Sequence, residues 1–204
     1  MAWLRNKKTG GWFEIPDDKL DTNKYMNSFI RQNGGLTKKD KEITAGYAAN
    51  ESSYAINDLL RQDKDISQYK QTIDKLDNNM EKVTKPLTVY RTVNDGFLKN
   101  STFIKDGRQF ELDPQMTYEQ IKQALSGAQF VDKAYMSTSY QEPISHGNIL
   151  MRINAKGSKA LLTSNDDERE IILGRNQKWK ITNFKRENEN DSWSRYIIDI
   201  EYNK

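Results

Sequence analysis

The chain has 204 residues, 35% apolar and 30% charged, and its 32 basic and 29 acidic side chains leave a formal charge of +3. That length suits one domain with its own core, and the interspersed charges form no block of the kind that grips nucleic acid. Cysteine is absent, which excludes disulfides and thiolate chemistry, and the single histidine, His146, excludes a two-histidine metal site within one chain. The polar run from Gln141 to Asn148 makes His146 an expected exposed loop residue. No stretch reaches the apolar length of a membrane span, and the first residues lack the apolar core of a signal peptide, so a soluble chain is expected.

Met1 to Asp18 mix Trp3, Trp12 and Phe13 with lysines and Gly10-Gly11, and read as a short extension that lays aromatics on the main body. Tyr25, Met26, Phe29 and Ile30 recur at helical spacing before Gly34-Gly35. Thr37 can cap a second short helix reaching Ala45 or beyond. Asn50 to Ser53 offer caps for a third helix over Tyr54 to Arg61. At about 100° per residue, Ile56, Leu59 and Leu60 form its core face, and Tyr54, Asn57 and Arg61 lie opposite. Steps of three and four through Ile66, Tyr69, Ile73, Leu76, Met80 and Val83 predict an amphipathic helix that ends at Lys85-Pro86.

Past Pro86 the pattern turns to strands. Leu87 to Arg91 predicts a strand with Asn94-Asp95-Gly96 as the turn after it, and Asn100 to Pro114 reads as a polar excursion. Thr117 and Gln120 match a capping box for a helix closed by Ser126-Gly127. Strands are expected at 130–139, 149–153, 159–163, 169–173, 177–184 and 193–202. Tyr135, Trp179 and Trp193 read as core or sheet-edge aromatics. Helices first and strands after predict an α+β fold with an antiparallel sheet system.

The acidic turn Asn165-Asp166-Asp167 feeds Glu168-Arg169-Glu170 and then the apolar run Ile171-Ile172-Leu173. In a strand, Glu168 and Glu170 point the same way, roughly 7 Å apart. Alone, this reads as a solvated acidic turn rather than a pair of working carboxylates. Two more features share its context: Arg91 at a strand end, and Ser137-Thr138-Ser139 after an aromatic-bearing strand.

With Tyr54, Asn57 and Arg61 on the earlier helix, these residues resemble the arginine-serine-glutamate class of mono-ADP-ribosyltransferases, bacterial toxin domains of the iota type and the Rho-modifying exoenzymes. The resemblance runs from about Tyr47 to the C-terminus and includes the strand Ile149 to Asn154. It implies an extension over 1–20 and one catalytic domain over 21–204, with two packed antiparallel sheets, helices around them and an NAD cleft between. NAD is the implied co-substrate, and no metal is implied.

By the same resemblance, Glu170 engages the ribose and the developing cation, and Glu168 orients or deprotonates the acceptor. A glutamate at 168, where the Rho-modifying enzymes have glutamine, goes with transfer to arginine. Arg91 and Arg152 would bind the NAD phosphates, Ser137 would hold Glu170, and Tyr54, Asn57 and Arg61 would line the cleft. Asp166 and Asp167 stand where the toxins often carry an aromatic for substrate recognition. No aromatic lies between Gln141 and Ile149, and Thr92 replaces a second arginine after Arg91. The expected partner is a protein with an acceptor arginine, actin or another host protein. No nucleic-acid or membrane partner is expected, and the chain is expected to be a monomer that is secreted or delivered into a target cell. NAD glycohydrolysis, with water as acceptor, and a non-catalytic NAD-binding module are the alternatives.

Overall fold

The computed structural model describes residues 2–5, 12–15, 42, 47, 52–83, 86–142, 148–162, 170–187 and 195–204. The expected helices over 22–32 and 37–45 lie largely outside that set, with Glu42 and Tyr47 both helical. His146 and Trp193 also lie outside it. At the start of the chain, β1 (Ala2–Arg5) and β2 (Trp12–Ile15) pair antiparallel as a hairpin, giving the expected extension a regular backbone.

Helix α1 (Ser52–Arg61) buries Ile56 and Leu60, one turn apart on a single face, and its last turn ends on Arg61, where a cation suits the helix dipole. After a short 3₁₀ turn (Ser67–Tyr69), α2 (Lys70–Asn79) buries Ile73 and Leu76. The predicted longer helix through Val83 is cut short. Met80 turns extended at ψ 136°, and β3 (Glu81–Lys82) pairs with β10 (Lys159–Leu162). Val83 N donates to Ser158 O at 2.8 Å, so its apolar side chain reaches the core from an extended segment rather than a helix. Strand pairing takes over where Asn78-Asn79, weak helix formers, offer little resistance.

Strand β4 (Thr88–Val93) follows, then α3 (Gly96–Asn100), in which Asn94 Oδ1 accepts from Gly96 N at 2.9 Å. The polar excursion resolves into a hairpin, β5 (Phe103–Lys105) and β6 (Arg108–Phe110), turned by Asp106 and Gly107 at φ 52° and 76°. Two left-handed residues in succession are what a tight two-residue hairpin demands. Helix α4 (Tyr118–Leu125) carries both halves of the capping box: Thr117 Oγ1 accepts from Gln120 N, and Gln120 Oε1 accepts from Thr117 N.

The single strand expected over 130–139 is two, β7 (Gln129–Asp132) and β8 (Met136–Ser139). Asp132 Oδ1 accepts from Ala134 N at 3.0 Å and fixes the bend between them. The remaining strands are β9 (Ile149–Asn154), β11 (Glu170–Leu173), β12 (Gln177–Glu187) and β13 (Arg195–Asn203).

Hydrogen bonding joins eleven strands in the order β3-β10-β11-β8-β4-β9-β13-β12-β7-β5-β6. Every pairing is antiparallel except β9 with β13, a parallel pair inside the otherwise expected antiparallel system. The series is joined at its middle by one residue pair between β4 and β8, Tyr90 with Ser139. Ala160, Met136, Ile171 and Leu173 from one half share a single apolar cluster with Val89, Met151, Trp179, Ile181 and Ile198 from the other. The two halves therefore lie face to face about that cluster, as two packed layers. Helices α1 and α2 cover the outer face of the first half, where Ile56, Leu60, Ile73 and Leu76 meet Tyr135, Leu161 and Ile172. Tyr135 and Trp179 are fully buried, as expected for core aromatics.

Candidate active site

All four residues of β11 are buried, and their alternation sorts them. Ile171 and Leu173 enter the cluster between the layers, whereas Ile172 joins the cluster under the helices, so Glu170 shares the helix-side face with Ile172. Ser137 and Ser139 lie on the matching face of β8, where Glu170 pairs with Ser139 and Ile172 with Ser137. Ser137 is thus the diagonal neighbour of Glu170, and its hydroxyl donates to Glu170 Oε1. Thr138 faces the other way and donates to Ile171 O at 2.5 Å, tying the two strands together.

Arg91 arrives from across the junction. Strands β4 and β8 meet at Tyr90 and Ser139, and just beyond that pair Arg91 Nη1 donates to Ser137 O at 2.9 Å. One residue therefore connects the cation to the carboxylate, Ser137 through its carbonyl on one side and its hydroxyl on the other. Burial pushes the Arg91 guanidinium below its usual range; the Asp132 carboxylate offsets this and the nearby Arg61 adds to it. Its hydrogen bond to a described residue goes to a carbonyl, which leaves its charge available to an anion.

Register places Arg152 in the same row. Glu170 pairs with Ser139, Ser139 with Tyr90, and Tyr90 with Arg152, across β11, β8, β4 and β9. Three strand spacings separate the ends, so Arg152 lies roughly 14 Å along the row from Glu170. Arg152 Nη2 pairs with Glu142 Oε1 at 3.5 Å, and Arg195 Nη2 holds the same oxygen at 3.0 Å.

The three residues of the α1 stripe part company. Arg61 reaches β7, donating from Nε and Nη2 to the two oxygens of Asp132 at 3.2 and 3.1 Å. Arg61, Arg91 and Asp132 line one cavity of about 450 Å³ whose other walls include Phe97, Phe130, Met136 and Met151. Asn57 is committed internally, donating to Tyr47 Oη at 2.7 Å and accepting from Tyr135 N at 3.1 Å. Tyr54 is 79% exposed, the most open of the large apolar side chains described. Glu168, Asp166 and Asp167 lie outside the described residues.

Tyr47 is the residue that sequence reasoning missed. Its side chain is buried, and burial pushes the phenol up to about 12, with the Asn57 hydrogen bond opposing. Glu170, Arg91 and Arg61 all act on it electrostatically, so it stands among the three charged groups of the site. Its only sequence signal was its place where the resemblance begins, seven residues ahead of Tyr54. Among the described residues, no group of three acidic or histidine side chains could hold a metal ion.

Residues 11–204 match the family model described as ADP-ribosyltransferase exoenzyme. No curated protein matches the chain by sequence. Among solved structures, Plx2a, an ADP-ribosyltransferase toxin from Paenibacillus larvae, superposes with a TM-score of 0.67 at 19% identity, over 89% of this chain and 96% of that one. The Clostridium limosum C3 exoenzyme gives 0.68 at 18%, over 90% and 94%. The enzymatic component C2-I of the Clostridium botulinum C2 toxin gives 0.64 at 20%, over 89% of this chain but only 46% of that one. At such identities the structural likeness speaks for the fold.

Proposed function

The chain belongs to the ADP-ribosyltransferase exoenzyme family, and from that membership we propose that it is a mono-ADP-ribosyltransferase that uses NAD and modifies an arginine of a target protein. The observation that carries this reading is Ser137, whose carbonyl takes Arg91 and whose hydroxyl takes Glu170. NAD combines an anionic pyrophosphate with a cationic nicotinamide on a ribose. A desolvated arginine beside an open cavity suits the first, and a buried carboxylate held by a hydroxyl suits the charge that develops on the second.

In the reaction, the bond between the ribose carbon and the nicotinamide nitrogen breaks, and nicotinamide leaves with the electron pair as a neutral molecule. The ribose takes on oxocarbenium character, which the Glu170 carboxylate stabilises. A guanidinium nitrogen of the target then bonds to that carbon and loses a proton, for which Glu168 is the acceptor. No general acid is needed for a neutral leaving group, consistent with a chain that has one histidine. Arg91 and Arg152 hold the phosphates, Arg61 and Tyr47 wall the cleft, and Asp166 and Asp167 contact the target. One catalytic domain over 21–204 carries these residues. The arginine preference rests on Glu168 and the family resemblance.

The experiment is incubation of the protein with labelled NAD and an arginine-rich acceptor. Label on the acceptor, lost on treatment that cleaves arginine-linked ADP-ribose, supports the proposal. Nicotinamide release without acceptor labelling would make the protein a glycohydrolase.

A further inference from the structure

Two ion pairs tie the end of α1 to the bend between β7 and β8. Arg61 pairs side-on with Asp132, and Lys133 pairs with Asp63. Their settings differ. The Asp132 side chain keeps 14% of its exposure against 71% for Asp63, so the two carboxylates differ, while the cations, Arg61 at 44% and Lys133 at 48%, are similarly open to water. Asp132 Oδ1 also accepts from Ala134 N, so the carboxylate is fixed by its own bend as well as by Arg61.

The pair stands in the cavity that Arg91 also lines. Two guanidiniums sharing one cavity repel, and Asp132 acts on Arg91 in the sense opposite to Arg61. The side-on contact uses Arg61 Nε and one proton of Nη2. It leaves the Nη1 end, with two protons, outside the pair.

We propose that Asp132 is a positioning residue that holds Arg61 side-on in the cavity wall, so that the unused donors of Arg61 meet the anionic part of the substrate already oriented. This rests on the NAD reading of the site. The carboxylate does two things at once: it fixes a long side chain that would otherwise have to be ordered on binding, and it offsets the repulsion between Arg61 and Arg91. Asp63 staples the same junction through Lys133, which also lines the cavity, without pairing with Arg61, and so serves as a control for the Arg61–Asp132 contact.

The test is calorimetric titration with NAD, together with the kinetics of nicotinamide release, for the unaltered protein, D132N, D63N, R61Q and the double variant R61Q/D132N. Asparagine keeps an oxygen for Ala134 N while losing the charge and one acceptor for Arg61. Expected are an NAD Kd and KM raised about tenfold in D132N with kcat within about twofold, no weakening of NAD binding in D63N, and no further loss when D132N is added to R61Q. Should D132N fail to fold, D132S, which also retains a cap for Ala134 N, goes through the same titration. NAD binding by D132N as tight as in the unaltered protein, or tighter, overturns the proposal, as does an equal loss with and without Arg61. If the unaltered protein does not bind NAD, the reading of the site falls and this assignment with it; if it binds and D132N is unchanged, only the role of Asp132 falls.

Discussion

The hydroxyl of Ser137 donates to the carboxylate of Glu170 across β8 and β11, while the carbonyl of Ser137 accepts from Arg91. These two contacts separate cleanly under mutation. Ser137→Ala removes the hydroxyl and leaves the carbonyl, so the Arg91 contact survives. Loss of one hydrogen bond to a charged group is worth about 1.5–3 kcal/mol, or roughly tenfold to a hundredfold in rate. Steady-state kinetics of nicotinamide release should show that drop in kcat with little change in KM.

The division of labour between the two glutamates gives a second expectation. Glu168→Gln removes the proposed proton acceptor but leaves Glu170, the carboxylate proposed to engage the ribose. Transfer of label to an arginine acceptor should fall at least about a hundredfold, within the range of general-base contributions, while hydrolysis of NAD persists. Parallel loss of both activities would contradict the assignment.

Tyr47 makes alkaline stability measurable. Burial raises its folded pKa to about 12 from the ordinary 10.0, so between these values the folded state holds a proton that the unfolded state gives up. Stability from this group is therefore complete below about pH 10 and is lost as pH rises toward 12, by up to roughly 3 kcal/mol. Tyr135 shifts in the same direction, raised by burial and by its bond to Asp77, and contributes to the same loss. Urea midpoints measured from pH 8 to 11 should fall above pH 10, and Tyr47→Phe should flatten the fall.

Ile172 tests the link between the core and the site. It is fully buried under α1 and α2, two residues along β11 from Glu170 on the same face. Ile172→Ala should cost about 2–5 kcal/mol of stability, read as a lowered denaturation midpoint.

Much of this arrangement was legible in the sequence, for identifiable reasons. Periodicity placed Ile56, Leu60, Ile73 and Leu76 on their buried faces, and the capping box marked the start of α4 because cap chemistry is local. The hairpin over 103–110 was also encoded, in Asp106-Gly107, but short strands of mixed polarity hid it. The end of α2 was misjudged because Met80 and Val83 keep helical spacing while strand pairing of Glu81 and Lys82 decides the backbone. The parallel pair of β9 and β13 joins segments more than forty residues apart, and no local pattern reports it. For the site, Arg91, Ser137 and Glu170 were singled out by motif, and the structure brings them into contact. Partners were not legible: that Asn57 spends its amide on Tyr47 and Tyr135, or that Arg61 takes Asp132, depends on which surfaces meet.

The proposed role of Glu170 is to drive departure of nicotinamide. Nicotinamide release from NAD, compared between the unaltered protein and Glu170→Gln under identical conditions, tests it most directly. Steady release is expected from the unaltered protein and a loss of at least about a thousandfold in the variant, with its fold intact by circular dichroism. Undiminished release by Glu170→Gln would contradict it.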